Sequence, residues 1–268
     1  MAAQPTLEHV LLDVDGHVAT VTLNRPEQRN PLSATMLRDL TAALSWCRDE
    51  GEIRAVVLTG AGRVFCAGAD LSSFDGEMNE LQRYQSRELF VDLFILMSEL
   101  GKPVVGRING HALAGGFGLA CACDILVAVD GATFGTPEIN VGIWPMMIQA
   151  ILVKNVPRKV LLEMEMLGDR WTAAQLHAVG VVNRVVAADQ LDATVAEIAR
   201  SLAKKSPVAQ FNSGLKLYDP FALTVWTNRT CPTSCASAAS TVIQGSSGVA
   251  PDTVAVPAPG KLCRIHVS

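Results

Sequence analysis

The chain has 268 residues, 49% hydrophobic and 18% charged, with a net charge of −4 at pH 7. That length and apolar content support one large domain, or a domain with an appendage, around a sizeable core. The acidic balance, without a basic stripe, argues against nucleic acid as a partner, and no apolar run is long enough to span a bilayer. Residues 1–8 lack the basic and apolar regions of a signal peptide, and seven cysteines without framework spacing suggest a reducing, cytoplasmic compartment.

In chain order, residues 10–13 and 18–23 read as a β-hairpin through Asp15-Gly16. A polar, proline-punctuated turn over 24–32 leads to Ser33, a helix N-cap, followed by Met36, Leu37, Leu40, Ala43, Leu44 and Cys47 at helical spacing. A buried strand over 53–59 runs into a small-residue turn, Phe65-Cys66-Ala67-Gly68-Ala69-Asp70-Leu71. Residues 77–100 predict a long amphipathic helix with Leu89, Leu93, Leu96 and Leu100 on one side, broken at Gly101-Lys102-Pro103.

An apolar strand over 103–108 enters the glycine-rich turn Gly110-His111-Ala112-Leu113-Ala114-Gly115-Gly116, and a tightly packed helix follows to Asp124. A strand over 125–129 precedes Phe134-Gly135-Thr136-Pro137-Glu138, where Pro137 fits a first helical position and Glu138 the first turn. Helical patterns cover 147–154, 158–167 and 172–178, then a strand over 181–186, a helix over 188–204 and one more over 206–217. From Asn228 the composition turns to Ser, Thr, Ala, Gly, Pro and Val, and the tail over 219–268 reads as atypical, low in complexity and irregular. Strands alternating with helices predict an α/β fold with a largely parallel sheet and right-handed crossovers, and no internal repeat is visible.

Known glycine motifs do not account for the turns. The 110–118 stretch is no dinucleotide fingerprint, closes without the Lys-Ser/Thr of a P-loop, and contains no Gly-x-Ser-x-Gly elbow. Small-residue turns after strands also serve tight packing, and each taken alone is read that way. A turn entering a helix can equally present backbone N–H groups to a phosphate or a developing oxyanion. Glu138 faces mixed forces, because burial raises a carboxyl pKa and a helix start lowers it. His111 reads as a structural or surface histidine. Cys121-x-Cys123 reads as packing, and Cys231 and Cys235 lack the partners of a metal site.

Taken together, Leu23-Asn24-Arg25-Pro26, Asn30-Pro31-Leu32, the 65–71 turn, the 109–116 turn, Cys123-Asp124-Ile125, Phe134-Gly135-Thr136-Pro137-Glu138, Gly168-Asp169-Arg170 and Gly180-Val181-Val182-Asn183-Arg184-Val185-Val186 occur in an order that resembles the enoyl-CoA hydratase/isomerase, or crotonase, superfamily. The resemblance covers residues 7–217. It implies a crotonase-like spiral of ββα units over 1–218, assembled as a homotrimer or hexamer, and an enzyme that stabilises the enolate of an acyl-CoA thioester. Fatty acid metabolism is one setting for that chemistry. The backbone N–H groups of Ala69 and Gly115 would form the oxyanion hole, with Ala67, Asp70, Leu71, Ser72 and Gly116 lining the acyl-CoA path. Coenzyme A comes with the substrate, so no separate cofactor and no metal are expected.

Two departures stand out. The family's hydratases place two glutamates around one water; the second matches Glu138, but the first falls on Gly118, and Met146 replaces a small residue that helps hold the water. A single carboxylate suits double-bond isomerisation, removing a proton from C2 and returning it to C4, with hydration or non-catalytic acyl-CoA binding as alternatives. The tail after Tyr218 lacks the helices the family uses to cover the site. Phe117, Trp144, Met146 and Met147 are read as shaping the acyl pocket or as core.

Overall fold

The computed structural model describes residues 2–69 and 80–206, with side chains from residue 88 onward in the second segment. The expected helix over 206–217, the tail over 219–268, and Asp70, Leu71 and Ser72 lie outside the described residues.

The hairpin forms as its turn chemistry dictates: β1 (Val10–Asp15) pairs antiparallel with β2 (Val18–Leu23), and Gly16 takes the positive φ of +58° the turn requires. Helix α1 (Ala34–Asp49) starts where Ser33 accepts a hydrogen bond from the Met36 N–H at 3.2 Å, and buries the six apolar residues its periodicity marks. Parallel strands β3 (Ala55–Gly60), β5 (Val104–Ile108), β7 (Ile125–Val129) and β10 (Arg184–Val186) extend the hairpin into a six-stranded sheet of order β1-β2-β3-β5-β7-β10.

Both faces of that sheet are covered, which is why β3 is buried at every residue and reads as a continuous apolar run rather than an alternating one. Alternate residues separate cleanly. Val56, Leu58, Val104, Leu126 and Ala128 join the main core with α1, α2 (Glu80–Ser98) and α3 (Gly115–Cys121). Val57, Val105 and Val127 face Leu191, Val195 and Ala199 of α7 (Leu191–Ala203).

A second sheet was not anticipated from the sequence. It joins β4 (Val64–Cys66), β6 (His111–Leu113), β8 (Thr133–Gly135) and β9 (Arg170–Thr172), each three residues long. The first three are parallel neighbours and β9 runs antiparallel at the edge. The chain therefore alternates between sheets: β3, β5 and β7 lie in the large one, and the strand after each lies in the small one. Helix α2 follows β4, α3 follows β6, and α4 (Met146–Asn155) follows β8, so the expected spiral of ββα units is present. The repeat is invisible in sequence because its units differ in length.

Smaller differences have local causes. The strand expected over 181–186 is paired as a strand only from Arg184. Val181 and Val182 are instead buried, while Asn183 uses its side chain to accept from the Leu126 N–H at 2.7 Å. Pro137 does open a helical turn, but a five-residue 3₁₀ one, Pro137–Val141, before α4, α5 (Arg158–Leu167) and α6 (Ala173–Ala178). Thr172 caps α6 in a reciprocal box with Gln175.

Candidate active site

The three segments that the sequence marks as candidates for chemistry emerge from the C-terminal ends of three adjacent parallel strands. Residues 67–69 follow β4, residues 114–116 follow β6 and Thr136–Glu138 follow β8. Carboxyl ends of parallel strands are where open α/β sheets gather ligands. Their connections are printed in the backbone: the Ala114 N–H donates to the Gly135 carbonyl at 2.8 Å, and the Leu32 N–H to the Gly68 carbonyl at 2.8 Å.

Missing side chains let the two turns meet. A Cβ on Gly68, whose φ is +103°, would stand 2.7 Å from Ala114 Cβ and 3.3 Å from Gly115 N. A Cβ on Gly116 would overlap the Cys66 carbonyl oxygen and approach Cys66 Cβ to 2.8 Å. One on Gly115 would lie 3.6 Å from Ala69 N. Ala69 and Gly115, remote in sequence, are thus backbone neighbours. Leu32 pairs with Ala69 as a parallel bridge, in which the Leu32 N–H bonds the Gly68 carbonyl rather than Ala69 itself. Neither the Ala69 nor the Gly115 N–H has an acceptor among the described residues.

Ala114 pays for this geometry in backbone strain, with φ +52° and ψ −127°, a region hostile to a residue with a Cβ and worth about 1–3 kcal/mol. Its carbonyl is turned to accept from Phe117 and Gly118 at 2.9 and 3.2 Å, which starts α3. Asn30 supports the other turn. It is fully buried at a positive φ of +53°; its side-chain amide donates toward the carbonyls of Ala61, Val64 and Phe65 at 2.9, 2.8 and 3.2 Å, and its oxygen accepts from the Arg25 N–H at 2.9 Å. Ala67 is held by its own N–H donating to the Arg29 carbonyl at 3.0 Å.

Glu138 is half-buried, and its Oε2 is a buried oxygen without a hydrogen-bond partner among the described residues. Burial raises its carboxyl pKa above the ordinary glutamate value; its own backbone N–H pulls it back, and the neighbouring Glu165 pushes it up again. The contest expected from sequence is therefore won by desolvation. A carboxyl shifted toward neutrality can accept and return a proton.

At Gly118 a Cβ would overlap Ile148 Cγ2 and come within 2.7 Å of Ile148 Cβ and 3.4 Å of Phe94 Cζ. The space a side chain would need is filled by α4. Phe117 is plain core, fully buried edge-on to Phe134 with ring centroids 5.8 Å apart, and does not shape a pocket. Trp144 and Met147 are half-buried, while Met146 is 75% exposed, with Val141 and Ile143 exposed nearby. His111 bonds Thr133 Oγ1 through Nδ1 at 2.8 Å, as befits a structural histidine. No group of three or more metal-binding side chains occurs among the described residues, and no described helix is long and apolar enough to cross a membrane. A hollow of about 250 Å³ opens under α7, between Arg107, Asp192 and Arg200, on the far face of the large sheet from these turns.

Two residues that bear on Glu138 escaped the sequence reading: Glu165 on α5, fully buried, and Gln149 on α4, whose Nε2 donates to Glu165 Oε2 at 3.4 Å. The signal was there, since Glu165 sits one turn after Leu161 on the apolar stripe of α5, beside the buried Met164.

Two strand-end turns whose backbones meet, and a desolvated carboxyl group after the next strand, make up the candidate site of this α/β fold. Residues 13–216 match the family profile described as Enoyl-CoA hydratase/isomerase, and the chain belongs to that family. It is 37% identical over 216 residues to the mevalonyl-coenzyme A hydratase of Aspergillus fumigatus, covering 76% of each chain. It is 33% identical over 212 residues to the short-chain-enoyl-CoA hydratase of Clostridium acetobutylicum, covering 76% of this chain and 78% of that one. The crystal structure of an enoyl-CoA hydratase from Mycobacterium smegmatis superposes with a TM-score of 0.76 at 32% identity, covering 88% and 90% of the two chains.

Proposed function

We propose that the protein isomerises enoyl-CoA thioesters, moving a double bond from C3 to C2 with Glu138 as the single proton carrier. The Ala69 and Gly115 N–H groups hold the thioester oxygen as negative charge develops on it. Glu138 removes a proton from C2, the charge delocalises through the dienolate, and the same carboxyl returns the proton to C4. The acyl-CoA lies along Ala67, Gly116 and the 70–72 segment, and the substrate's own coenzyme A is the only carrier group used. Assembly as a trimer or hexamer in the cytoplasm belongs to the same reading.

The carrying observation is Gly118: the residue has no side chain to act as a second acid, and Ile148 fills the space such a side chain would need. Hydration needs one group to activate water and another to protonate carbon, whereas isomerisation needs one group used twice. A second reading, water addition to a trans-2-enoyl-CoA, is favoured by the names of the relatives, which are hydratases. A third, acyl-CoA binding without chemistry, is disfavoured by the retained, desolvated Glu138.

Separate incubations with a 3-enoyl-CoA and a trans-2-enoyl-CoA discriminate among the three, with products identified by mass and chromatography. Conversion of the first without hydration of the second is the expected result. Glu138→Gln is expected to lose about two to four orders of magnitude in kcat. Full activity in that variant would remove Glu138 from the mechanism; a 3-hydroxyacyl product would establish the hydratase; binding without turnover would establish a binding protein.

A further inference from the structure

We propose that Glu165 is a positioning residue, a buried carboxylic acid that keeps its proton at neutral pH by pairing with the Gln149 amide and acts on the substrate only through Glu138. The inference rests on Glu138 being the proton carrier and extends that reading to the group behind it.

The geometry is specific. Glu165 is fully buried, and one of its oxygens, Oε2, accepts the long 3.4 Å bond from Gln149 Nε2. The other oxygen of each side chain, Glu165 Oε1 and Gln149 Oε1, is buried without a partner among the described residues. Two acceptors left over beside one amide-to-carboxyl bond are what a missing proton leaves behind. A proton on Glu165 Oε1 turns it into a donor for the Gln149 oxygen, and the side chains then close a two-bond acid–amide ring in which all four polar atoms are satisfied. An ionised Glu165 would instead leave a buried charge facing a buried carbonyl oxygen, which costs far more than a neutral acid in the same place.

Among the described residues, no cation offsets the burial of Glu165. The 3₁₀ turn packs on the end of α5, where a Cβ on Gly168 would stand 2.7 Å from Ile139 Cγ2 and 2.8 Å from Asn140 Nδ2. The titratable group this turn presents is Glu138 itself, which repels a charge on Glu165. The remaining charged residues of α4, α5 and the following turn are Lys154, Arg158, Lys159, Glu163, Asp169 and Arg170, all exposed to solvent. Burial raises the Glu165 pKa, and the Gln149 hydrogen bond only partly opposes it.

The consequence falls on Glu138. With Glu165 neutral, Glu138 faces no second charge and ionises to serve as base. Once Glu165 loses its proton at alkaline pH, its charge makes protonated Glu138 hold its proton more tightly, and the return step slows. The proton lost from Glu165 goes to solvent; the reaction itself consumes none.

Infrared difference spectra and a pH profile test this on the full-length chain. At neutral pH the carbonyl stretch of a protonated carboxyl is expected in the wild type and in Glu138→Gln. It should be lost in Glu165→Gln, and shifted in Gln149→Leu, which removes the ring partner without touching the acid. With whichever enoyl-CoA is turned over, kcat of the wild type is expected to decline on the alkaline side, and the decline to disappear in Glu165→Gln. Wild-type and Glu165→Gln spectra that match, or a band unmoved in Gln149→Leu, would overturn the pairing. An alkaline decline that survives Glu165→Gln would overturn the action through Glu138. Should Glu165→Gln fail to fold, the Gln149→Leu shift decides. Activity retained in Glu138→Gln would instead count against the proposed function, since the infrared arm reads Glu165 whether or not Glu138 is the base.

Discussion

A glutamate grafted at position 118 would have to pass through Ile148, whose Cγ2 and Cβ occupy the place of its first carbon. Inserting bulk into a filled site of this kind costs about 1–3 kcal/mol. Gly118→Glu is therefore expected to lower the urea midpoint without adding hydratase activity. Gly118→Glu with Ile148→Ala should recover part of that loss by opening the space, and a single variant as stable as the wild type would mean that α4 yields easily. The chemical half of this position was legible in the sequence, as a glycine where the resemblance implies an acid. The packing half was not, because Ile148 and Gly118 meet only through the tertiary contact of α3 with α4. Asn30 is a parallel case: its place in a motif was readable, but not that one side chain reaches three carbonyls across the β3–β4 turn.

Among the elements, α1 carries a cap that its own sequence does not supply. Lys102, just after α2, reaches back so that its Nζ donates to the carbonyls of Cys47 at 2.6 Å and Glu50 at 2.7 Å at the C-terminal end of α1, the latter also accepting from the Ile53 N–H at 3.1 Å. Lys102→Met keeps the stem and removes both bonds. The expected loss is about 1–2 kcal/mol for charge-assisted bonds at a half-exposed site, read as a lower urea midpoint with an unchanged slope. Long elements such as α1 and α7 were legible because an apolar period runs over many residues, joined in α1 by the Ser33 cap. The small sheet was not: a three-residue strand is too short to display a period of two, and its pairing partners are distant in sequence. So the two turns and the Glu138 segment could be named as candidates, while the sheet that gathers them could not.

On the scale of the molecule, the site is held at some expense to stability. Glu138 and Glu165 both have carboxyl pKa values raised in the folded chain, chiefly by burial. Such a group favours the fold fully below its unfolded value, 4.5 for glutamate, and that contribution is lost as pH rises through the folded value. Replacing Glu138 by the neutral Gln is expected to raise Tm at neutral and alkaline pH, by about 2–4 °C per kcal/mol relieved, and to leave it unchanged below the glutamate range. Scanning calorimetry at both ends of that range checks the sign; a variant that melts lower at neutral pH would contradict it. The overall α/β class was readable from the alternation of strands and helices. The crossing from one sheet to the other was not, because nothing in a sequence distinguishes a strand that stays in its sheet from one that leaves it.

Cys47, Cys66, Cys121 and Cys123 are free and buried, and the loss of hydration lifts the thiols of Cys47 and Cys66 to about 12 and raises those of Cys121 and Cys123 as well. A thiol in that condition neither attacks nor is attacked. Oxidants and alkylating reagents must wait until the surrounding segment opens, so each sulfur keeps time for its own neighbourhood. Cys66 keeps it for the place where α3 rests on β4 through Gly116, directly beneath the two turns. The molecule thus carries, in an otherwise inert atom, an internal clock for how often these two turns come apart.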